Sequence, residues 1–142
     1  MSQENVEAFR RMTEAMNASP TDPSMIDPLL DSDYRIDNIV TAVTDKTYYG
    51  AAGIVEWFSD MADAFALGPR WEMEAVIADA HDFVVGRMAF VGTGARSSAP
   101  LRLRWIAVTW FRDGRATRSA GYANRHEALK AVGLEDGPPT AT

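Results

Sequence analysis

The sequence predicts an α+β domain in which helices cover one face of a curved antiparallel sheet. Three observations carry this prediction. Apolar residues recur at helical spacing in two segments of the first half, alternation typical of strands follows from residue 70 onward, and Asp113-Gly114 separates two alternating runs. An Asp-Gly pair in that position is a hairpin signal, because both turn residues must tolerate positive φ.

The first half is predicted to contain two long helices and a short one. The first helix covers residues 3–17 and stops before Pro20. A short second helix begins near Pro23, because proline suits the first helical position. The third helix covers residues 51–66, and its apolar stripe consists of Ile54, Trp57, Phe58, Met61 and Phe65.

Five strands are predicted, followed by one last short helix at residues 125–131. In the first strand, residues 33–40, alternation places Tyr34, Ile36 and Asn38 on one side and Asp37 on the other. The remaining strands are 70–79, 83–92, 101–112 and 115–123.

Length and composition set limits on the function. The chain has 142 residues and no internal linker, so we expect one domain over residues 1–135 and a disordered tail at 136–142. The absence of cysteine excludes disulfides, thiolate metal sites and cysteine nucleophiles. The net charge of −6, without a basic run, argues against a nucleic-acid partner.

Hydropathy argues against a membrane partner as well. No segment approaches the ~20 apolar residues that a membrane-spanning helix needs. The N-terminus is polar and amphipathic, unlike a signal peptide. A cytoplasmic protein is therefore expected.

Several segments resemble the nuclear transport factor 2-like superfamily, and most closely its SnoaL-like branch, which is named for a polyketide cyclase. The resemblance extends from about residue 3 to residue 134, and these residues carry it: 6–17, Tyr49-Gly50-Ala51-Ala52-Gly53-Ile54, 105–114, Tyr122-Ala123-Asn124-Arg125 and Glu127-Ala128-Leu129. It implies a cone-shaped α+β barrel, with the curved sheet wrapped around the N-terminal helices and an apolar pocket between them. It also implies a homodimer formed through the outer face of the sheet.

Ketosteroid isomerase-like relatives use a tyrosine on the first helix and acids on an early and a late strand. The matching positions here are Met12, Asn38 and Val108. Asn38 cannot take a proton at neutral pH, although it can hydrogen-bond to a ligand carbonyl. Asp37 is expected on the opposite face, solvated or ion-paired. Catalytic residues therefore remain unknown, with Asp37 and Asn38 as weak candidates.

The catalytic residues of two other groups of relatives are also poorly matched in this sequence. SnoaL-like cyclases use an acid that corresponds here to Asn124, with a histidine on a neighbouring strand, but His81 and His126 fall in a turn and at a helix start. Limonene epoxide hydrolase-like members use paired carboxylates and an arginine. The residues that would serve, Arg87, Arg104 and Arg118 with Asp37, Glu72 and Glu74, are better explained as ion pairs on the outer face.

The aromatic residues give the stronger indication of a ligand. Four tryptophans in 142 residues exceed what a small core requires, and an apolar pocket with a few polar groups is typical of small-ligand sites. We expect Trp57, Trp105 and Tyr122 to line this pocket, and we expect Tyr34, Asn38 and Arg104 to supply its polar groups. No metal site and no cofactor are expected.

Two functions remain open from the sequence. The first is the binding of a small hydrophobic molecule. The second is a cofactor-independent isomerase, cyclase or epoxide hydrolase-like enzyme that acts on a hydrophobic carbonyl or a polyketide- or terpenoid-like compound. An Asp, Glu or His side chain pointing into the pocket would favour the enzyme.

Overall fold

The computed structural model describes residues 2–17, 23–37, 47–65, 67–93 and 100–134. The helices are α1 (Ser2–Asn17), α2 (Pro23–Ile26), α3 (Gly50–Phe65) and α4 (Arg125–Ala131), with a 3-10 turn at Asp27–Leu29. The strands are β1 (Leu30–Asp37), β2 (Tyr48–Tyr49), β3 (Leu67–Ala80), β4 (Phe83–Thr93), β5 (Pro100–Arg112) and β6 (Arg115–Tyr122). The predicted tail at 136–142 and the predicted ligand group Asn38 lie outside the described residues.

The six strands form one sheet in the order β2-β1-β6-β5-β4-β3. The predicted α+β class with N-terminal helices is confirmed, but the sheet is mixed, because β1 runs parallel to β6. No tight turn joins these two strands, so turn geometry does not impose the antiparallel direction that it imposes on the β5-β6 hairpin. Register shifts between β3 and β4 mark bulges, which bend strands and increase twist, and the sheet curls into a half-barrel.

Helix α1 is fixed to the edge strand β3 near both of its ends by asparagine side chains. Asn17 exchanges two hydrogen bonds with the backbone of Trp71: its Nδ2 donates to the carbonyl at 2.7 Å, and its Oδ1 accepts from the amide at 2.8 Å. Near the other end, Asn5 Nδ2 donates to the carbonyls of Ala80 and His81. β3 is the last strand of the sheet, so one side of its backbone has no neighbouring strand to bond. The asparagine side chains bond some of these backbone groups instead.

A glycine on β4 lets α1 lie close to the sheet. A Cβ atom added at Gly86 would stand 2.9 Å from Cε2 of Phe9, which is closer than real Cβ contacts. Because glycine lacks that atom, the Phe9 ring packs directly on the strand. We call this helix-covered face of the sheet the inner face and the opposite one the outer face.

The closing helix α4 covers part of the outer face. Its buried residues Ala128 and Leu129 belong to a second apolar cluster with Phe83, Val85, Ile106 and Val108. Asn124, which the sequence comparison matched to an acid on a late strand, is instead the N-cap of α4, where its side chain accepts a hydrogen bond from the Glu127 amide. The apolar residues on the outer side of β5 thus have an intramolecular partner.

No helix in the described ranges is both long and apolar enough to cross a membrane.

We expect Asn17→Ala to lower the free energy of unfolding by about 1–3 kcal/mol, because two partly buried hydrogen bonds to the Trp71 backbone are lost. Urea denaturation followed by circular dichroism measures this. Arg10→Ala is the control on the same helix, since Arg10 is exposed and its ion pair among the described residues is with the exposed Glu7. Equal stability of the two variants would contradict the docking role of Asn17.

Candidate functional site

A cavity of about 60 Å³ lies between α1, α3 and the inner face of the sheet. Helix α1 contributes Phe9, Met12 and Thr13, and α3 contributes Ile54 and Trp57. The walls from the sheet come from every long strand: Tyr34, Ile36, Trp71, Met88, Trp105, Ala107, Thr109, Ser119 and Ala120. None of these lining residues is charged, so the site is an apolar space with a few hydroxyl groups.

Three tryptophans form one wall of the cavity. Trp57 on α3 stacks on Trp71 of β3, with ring centroids 4.7 Å apart and ring planes 8° from parallel. Trp105 of β5 meets both rings edge-on, with centroids 4.7 Å from Trp71 and 6.5 Å from Trp57. Stacked and edge-to-face pairs add about 0.5–1.5 kcal/mol each beyond area burial. Contacts between the three rings therefore hold this wall together, and we call it the tryptophan wall.

The indole of Trp57 carries a polar group that the described structure does not satisfy. The residue is 7% exposed, and its Nε1–H meets no hydrogen-bond acceptor among the described residues. A buried donor without an acceptor costs about 1–3 kcal/mol. Such groups are rare in folded proteins, so this indole adds a local cost to the packing beside the cavity.

Three hydroxyl groups form a chain on the sheet wall. Tyr34 Oη donates to Ser119 Oγ at 2.7 Å, and Ser119 Oγ lies 2.8 Å from Thr109 Oγ1. The pairing of strands explains this arrangement, because Thr109 stands opposite Ser119 in the β5-β6 ladder and Ile36 stands opposite Ser119 across β1-β6. We call these three hydroxyl groups the hydroxyl strip, which is polar in an otherwise apolar cavity.

Burial keeps the Tyr34 phenol protonated. Desolvation raises the pKa of Tyr34 well above the ordinary tyrosine value, the hydrogen bond to Ser119 lowers it, and the nearby Asp37 carboxylate raises it further. The net shift is strongly upward. Tyr34 is thus a neutral hydrogen-bonding group at physiological pH and cannot serve as a base.

The cavity contains some of the ligand-binding residues predicted from the sequence. Tyr34, Trp57 and Trp105 line it, although their contact with a ligand stays a prediction. The placement of Arg104 was wrong, because neighbouring residues of a strand face opposite sides and Trp105 faces inward. Arg104 is exposed on the outer face, where its Nε lies 2.8 Å from Glu74 Oε1.

Tyr122 also lies away from the cavity. It stands opposite Ile106 in the β5-β6 ladder and packs at the edge of the second apolar cluster under α4. Alternation relative to Ile106 therefore puts Tyr122 on the outer side, and its predicted place in the pocket wall was wrong.

The acids that could have supported catalysis lie in ion pairs on the outer face. Asp37 binds Arg35 and Arg118 through its two carboxylate oxygens, each at 2.8 Å. Arg102 binds both Glu72, at 3.0 Å, and Glu74, at 2.6 Å. The hydrogen bond from Arg104 lowers the pKa of Glu74, so this carboxyl stays ionised. Among the described residues, no Asp, Glu or His lines the cavity.

Sequence reasoning missed Thr109 and Ser119. It matched Val108 to a late-strand acid, but Val108 is buried on the outer side under α4, and Thr109 faces the cavity. Alternation from Trp105 already places Thr109 on the inner face, so this signal was present in the sequence. The side of the sheet that Ser119 faces could not be predicted from alternation, because it depends on a register shift between Trp110 and Phe111.

Comparison with solved structures shows the same fold in several proteins. A hypothetical protein of Catenulispora acidiphila with a ketosteroid isomerase-like fold, in complex with trimethylamine, has 19% identity and a TM-score of 0.63, covering 94% of this chain and 98% of its own. TerC, crystallised with polyporic acid, has 19% identity and a TM-score of 0.66, covering 92% and 97%.

A protein from Jannaschia sp. CCS1 that is described as a SnoaL-like polyketide cyclase has 14% identity and a TM-score of 0.67, covering 97% of this chain and 95% of its own. A search among curated proteins finds no match. The model of the SnoaL-like domain matches residues 9–119, which include the three tryptophans and the three hydroxyl groups of the cavity. The chain therefore belongs to the SnoaL-like domain family of the nuclear transport factor 2-like superfamily.

Proposed function

We propose that the protein binds a small hydrophobic molecule in the cavity between α1, α3 and the sheet. One observation carries the proposal: the lining residues that the structure describes are apolar or neutral polar, and none of them is charged. Ligand sites are concave, mostly apolar and provided with a small number of oriented polar groups. The tryptophan wall and the hydroxyl strip supply both components.

Enzymatic isomerisation, cyclisation or epoxide hydrolysis is less well supported. Each needs a group that takes or gives a proton at the reacting atom. Within the described part of the chain, the carboxylates considered for this role, Asp37, Glu72 and Glu74, are held in ion pairs on the outer face. Tyr34 does face the cavity, but its raised pKa makes it a hydrogen-bonding group and not a base.

The volume of the cavity indicates the size of the ligand. A single water needs roughly 10–15 Å³ of cavity, so a cavity of about 60 Å³ has room for a small molecule of several non-hydrogen atoms. Met12 and Met88 line the space, and the flexible thioether chain lets methionine adjust to ligands of different shape. We infer a compact ligand, with modest adaptation at the two methionines.

Structures with the same fold hold small molecules, which supports a ligand-binding role. The Catenulispora acidiphila protein was crystallised with trimethylamine, and TerC was crystallised with polyporic acid. Their low identity to this chain means that the fold carries over, while the ligand follows from the residues of this cavity.

We expect cyclopentane, an apolar molecule of five non-hydrogen atoms, to bind saturably and to shift amide signals around the cavity in ¹⁵N-edited NMR spectra. Ala107→Leu should weaken this binding at least tenfold, because three added carbons fill most of the space. Ala131→Leu on the exposed side of α4 is the matched control and should bind as the wild type does. Unchanged binding by Ala107→Leu would place the ligand elsewhere.

The buried Tyr34 makes stability sensitive to alkaline pH. Its folded pKa lies above the unfolded value of about 10, so its contribution is complete below pH ~10 and is lost as the pH rises beyond it. Tyr34→Phe should therefore flatten the fall of unfolding free energy between pH 9 and pH 11, a window taken from the ~10 reference value. Tyr49→Phe is the control, because Tyr49 is 66% exposed. Identical pH profiles for wild type and Tyr34→Phe would refute this role.

We propose that the homodimer expected from the resemblance forms on the part of the outer face that α4 leaves uncovered. Ile106 and Val108 are buried under α4, so a partner would meet the exposed Arg102 and Arg104 instead. Light scattering at micromolar concentration should give twice the 15.6 kDa chain mass, and Arg104→Glu should shift the protein towards monomer, because it breaks the Arg104–Glu74 ion pair and reverses a charge on the proposed contact surface. A wild-type monomer would rule the dimer out.

A further inference from the structure

A second concave surface lies on the outer side of the sheet, near the turn of the β5-β6 hairpin. It is an open groove of about 570 Å³ that shares no lining residue with the cavity. The groove lies where the β1-β6 ladder is broken. Between the pairs Leu30–Ala116 and Arg35–Arg118, β1 advances by five residues and β6 by two, so β1 bows away from its neighbour. The course of the backbone therefore sets this concave shape.

Charges of both signs line the groove in equal number. Three arginines and three aspartates face it: Arg35, Arg112, Arg118, Asp31, Asp33 and Asp82. One pair among them is already neutral, because Arg112 Nη2 lies 2.7 Å from Asp31 Oδ2. The other four charged side chains therefore determine what the groove attracts.

Two guanidinium groups at the groove share one carboxylate. Arg35 Nε lies 2.8 Å from Asp37 Oδ2, and Arg118 Nε lies 2.8 Å from Asp37 Oδ1. Both contacts use Nε, and no described residue accepts a hydrogen bond from the terminal Nη atoms of either arginine. The Trp110 ring supports the Arg118 guanidinium, whose carbon lies 4.6 Å from the ring centre. The two arginines with Asp37 thus carry one excess positive charge and unused donors.

Two acids at the groove have no partner among the described residues. Asp33 lies two residues before Arg35 on β1, and alternation puts both side chains on the outer side. Arg35 binds Asp37, so the Asp33 carboxylate stays unpaired within the described ranges. Asp82 lies in the turn between β3 and β4, and its carbonyl accepts a hydrogen bond from the Phe111 amide at 2.9 Å, which holds that turn beside the hairpin. Unpaired negative charge therefore stands beside unpaired positive charge.

Ions of a single sign fit this groove poorly. An anion that binds the terminal nitrogens of Arg35 and Arg118 approaches the carboxylate of Asp33, and a cation that binds Asp33 approaches the two guanidinium groups. The attraction gained at one end is then offset by like-charge repulsion at the other. A molecule with an anionic end and a cationic end meets an opposite charge at both.

We propose that the groove binds a small zwitterion, whose carboxylate contacts the terminal nitrogens of Arg35 and Arg118 and whose ammonium group contacts Asp33. Positions two residues apart on a strand are separated by about 6–7 Å, which sets the distance between the charged ends of the ligand. An ω-amino acid with four methylene groups spans a similar distance when it is extended. This site is separate from the cavity, so the proposed function and this inference can fail independently.

Three probes of matched chain length test the proposal: 5-aminopentanoate, pentanoate and pentylammonium. Exposed ion pairs are individually weak, so we expect 5-aminopentanoate to bind with a dissociation constant on the order of millimolar. It should bind at least about threefold more tightly than either of the other two, and added salt should weaken its binding. ¹⁵N-edited NMR titrations that follow the amide signals of Asp33, Arg35 and Thr117 measure the three affinities at the groove itself.

Asp33→Asn removes the proposed partner of the ammonium group at an exposed position. It should reduce the preference for 5-aminopentanoate over pentanoate to less than about twofold, because the ammonium group then gains no ion pair. Asp79→Asn is the matched control, since Asp79 is an exposed aspartate on β3 that does not line the groove. This control should keep the preference of the wild type.

Arg35→Gln removes one partner of the carboxylate, also at an exposed position. It should reduce the preference for 5-aminopentanoate over pentylammonium to less than about twofold, because the carboxylate loses a charged donor. Arg87→Gln is the matched control, since Arg87 is an exposed arginine on β4 outside the groove.

Binding of pentanoate or pentylammonium as tightly as 5-aminopentanoate overturns the proposal, and so do groove signals that stay in place. A wild-type preference that survives in either Asp33→Asn or Arg35→Gln also overturns it, since the zwitterion would then bind in another way. Loss of the preference in these two variants, with its retention in Asp79→Asn and Arg87→Gln, supports the site.

Discussion

One register shift in the closing hairpin decides which residues of β6 face the cavity. The ladder that starts at the turn passes over Thr117, so that the next pair is Trp110 with Arg118. With unshifted pairing, Arg118 would stand opposite Thr109 and direct a guanidinium group to the inner face. The extra residue instead places Ser119 opposite Thr109. Arg118 lies on the outer face, with its guanidinium carbon 4.6 Å from the centre of the Trp110 ring.

The sequence predicts which side chains face the cavity where their direction follows from alternation within one helix or strand. It does not predict directions that depend on how distant strands pair. Tyr34, Trp57 and Trp105 line the cavity, since each follows from the period of its own helix or strand. The same rule excludes Arg104 from the cavity, because it is adjacent to Trp105 and faces the opposite side of the strand. The predictions that Arg104 and Trp105 both contribute to the pocket were therefore incompatible. The bulge at Thr117 has no local signature, since threonine is an ordinary strand residue, and so the facing of Ser119 needed the structure.

The position of helix α1 and the tryptophan wall depend on each other. Asn17 holds both backbone polar groups of Trp71, and the side chain of the same residue is the centre of the wall, stacked on Trp57 and met edge-on by Trp105. A displacement of the helix end would therefore move the strand that positions the indole. This couples the stability of the N-terminal helix to the shape of the cavity, because packed interiors respond to shifts smaller than a methyl group.

Ion pairing on the outer face is what makes a neutral cavity possible. Strand residues alternate, so each inward aromatic or hydroxyl has outward neighbours, and here those neighbours are often charged: Asp37 with Arg118, and Glu74 with Arg104. Because these charges are paired on the outer face, they place no charge in the cavity. In the proposed function, a ligand in this cavity is then recognised by its shape and by neutral hydrogen-bonding groups. In a water-poor space such groups discriminate strongly, since an unmade hydrogen bond cannot be replaced by solvent.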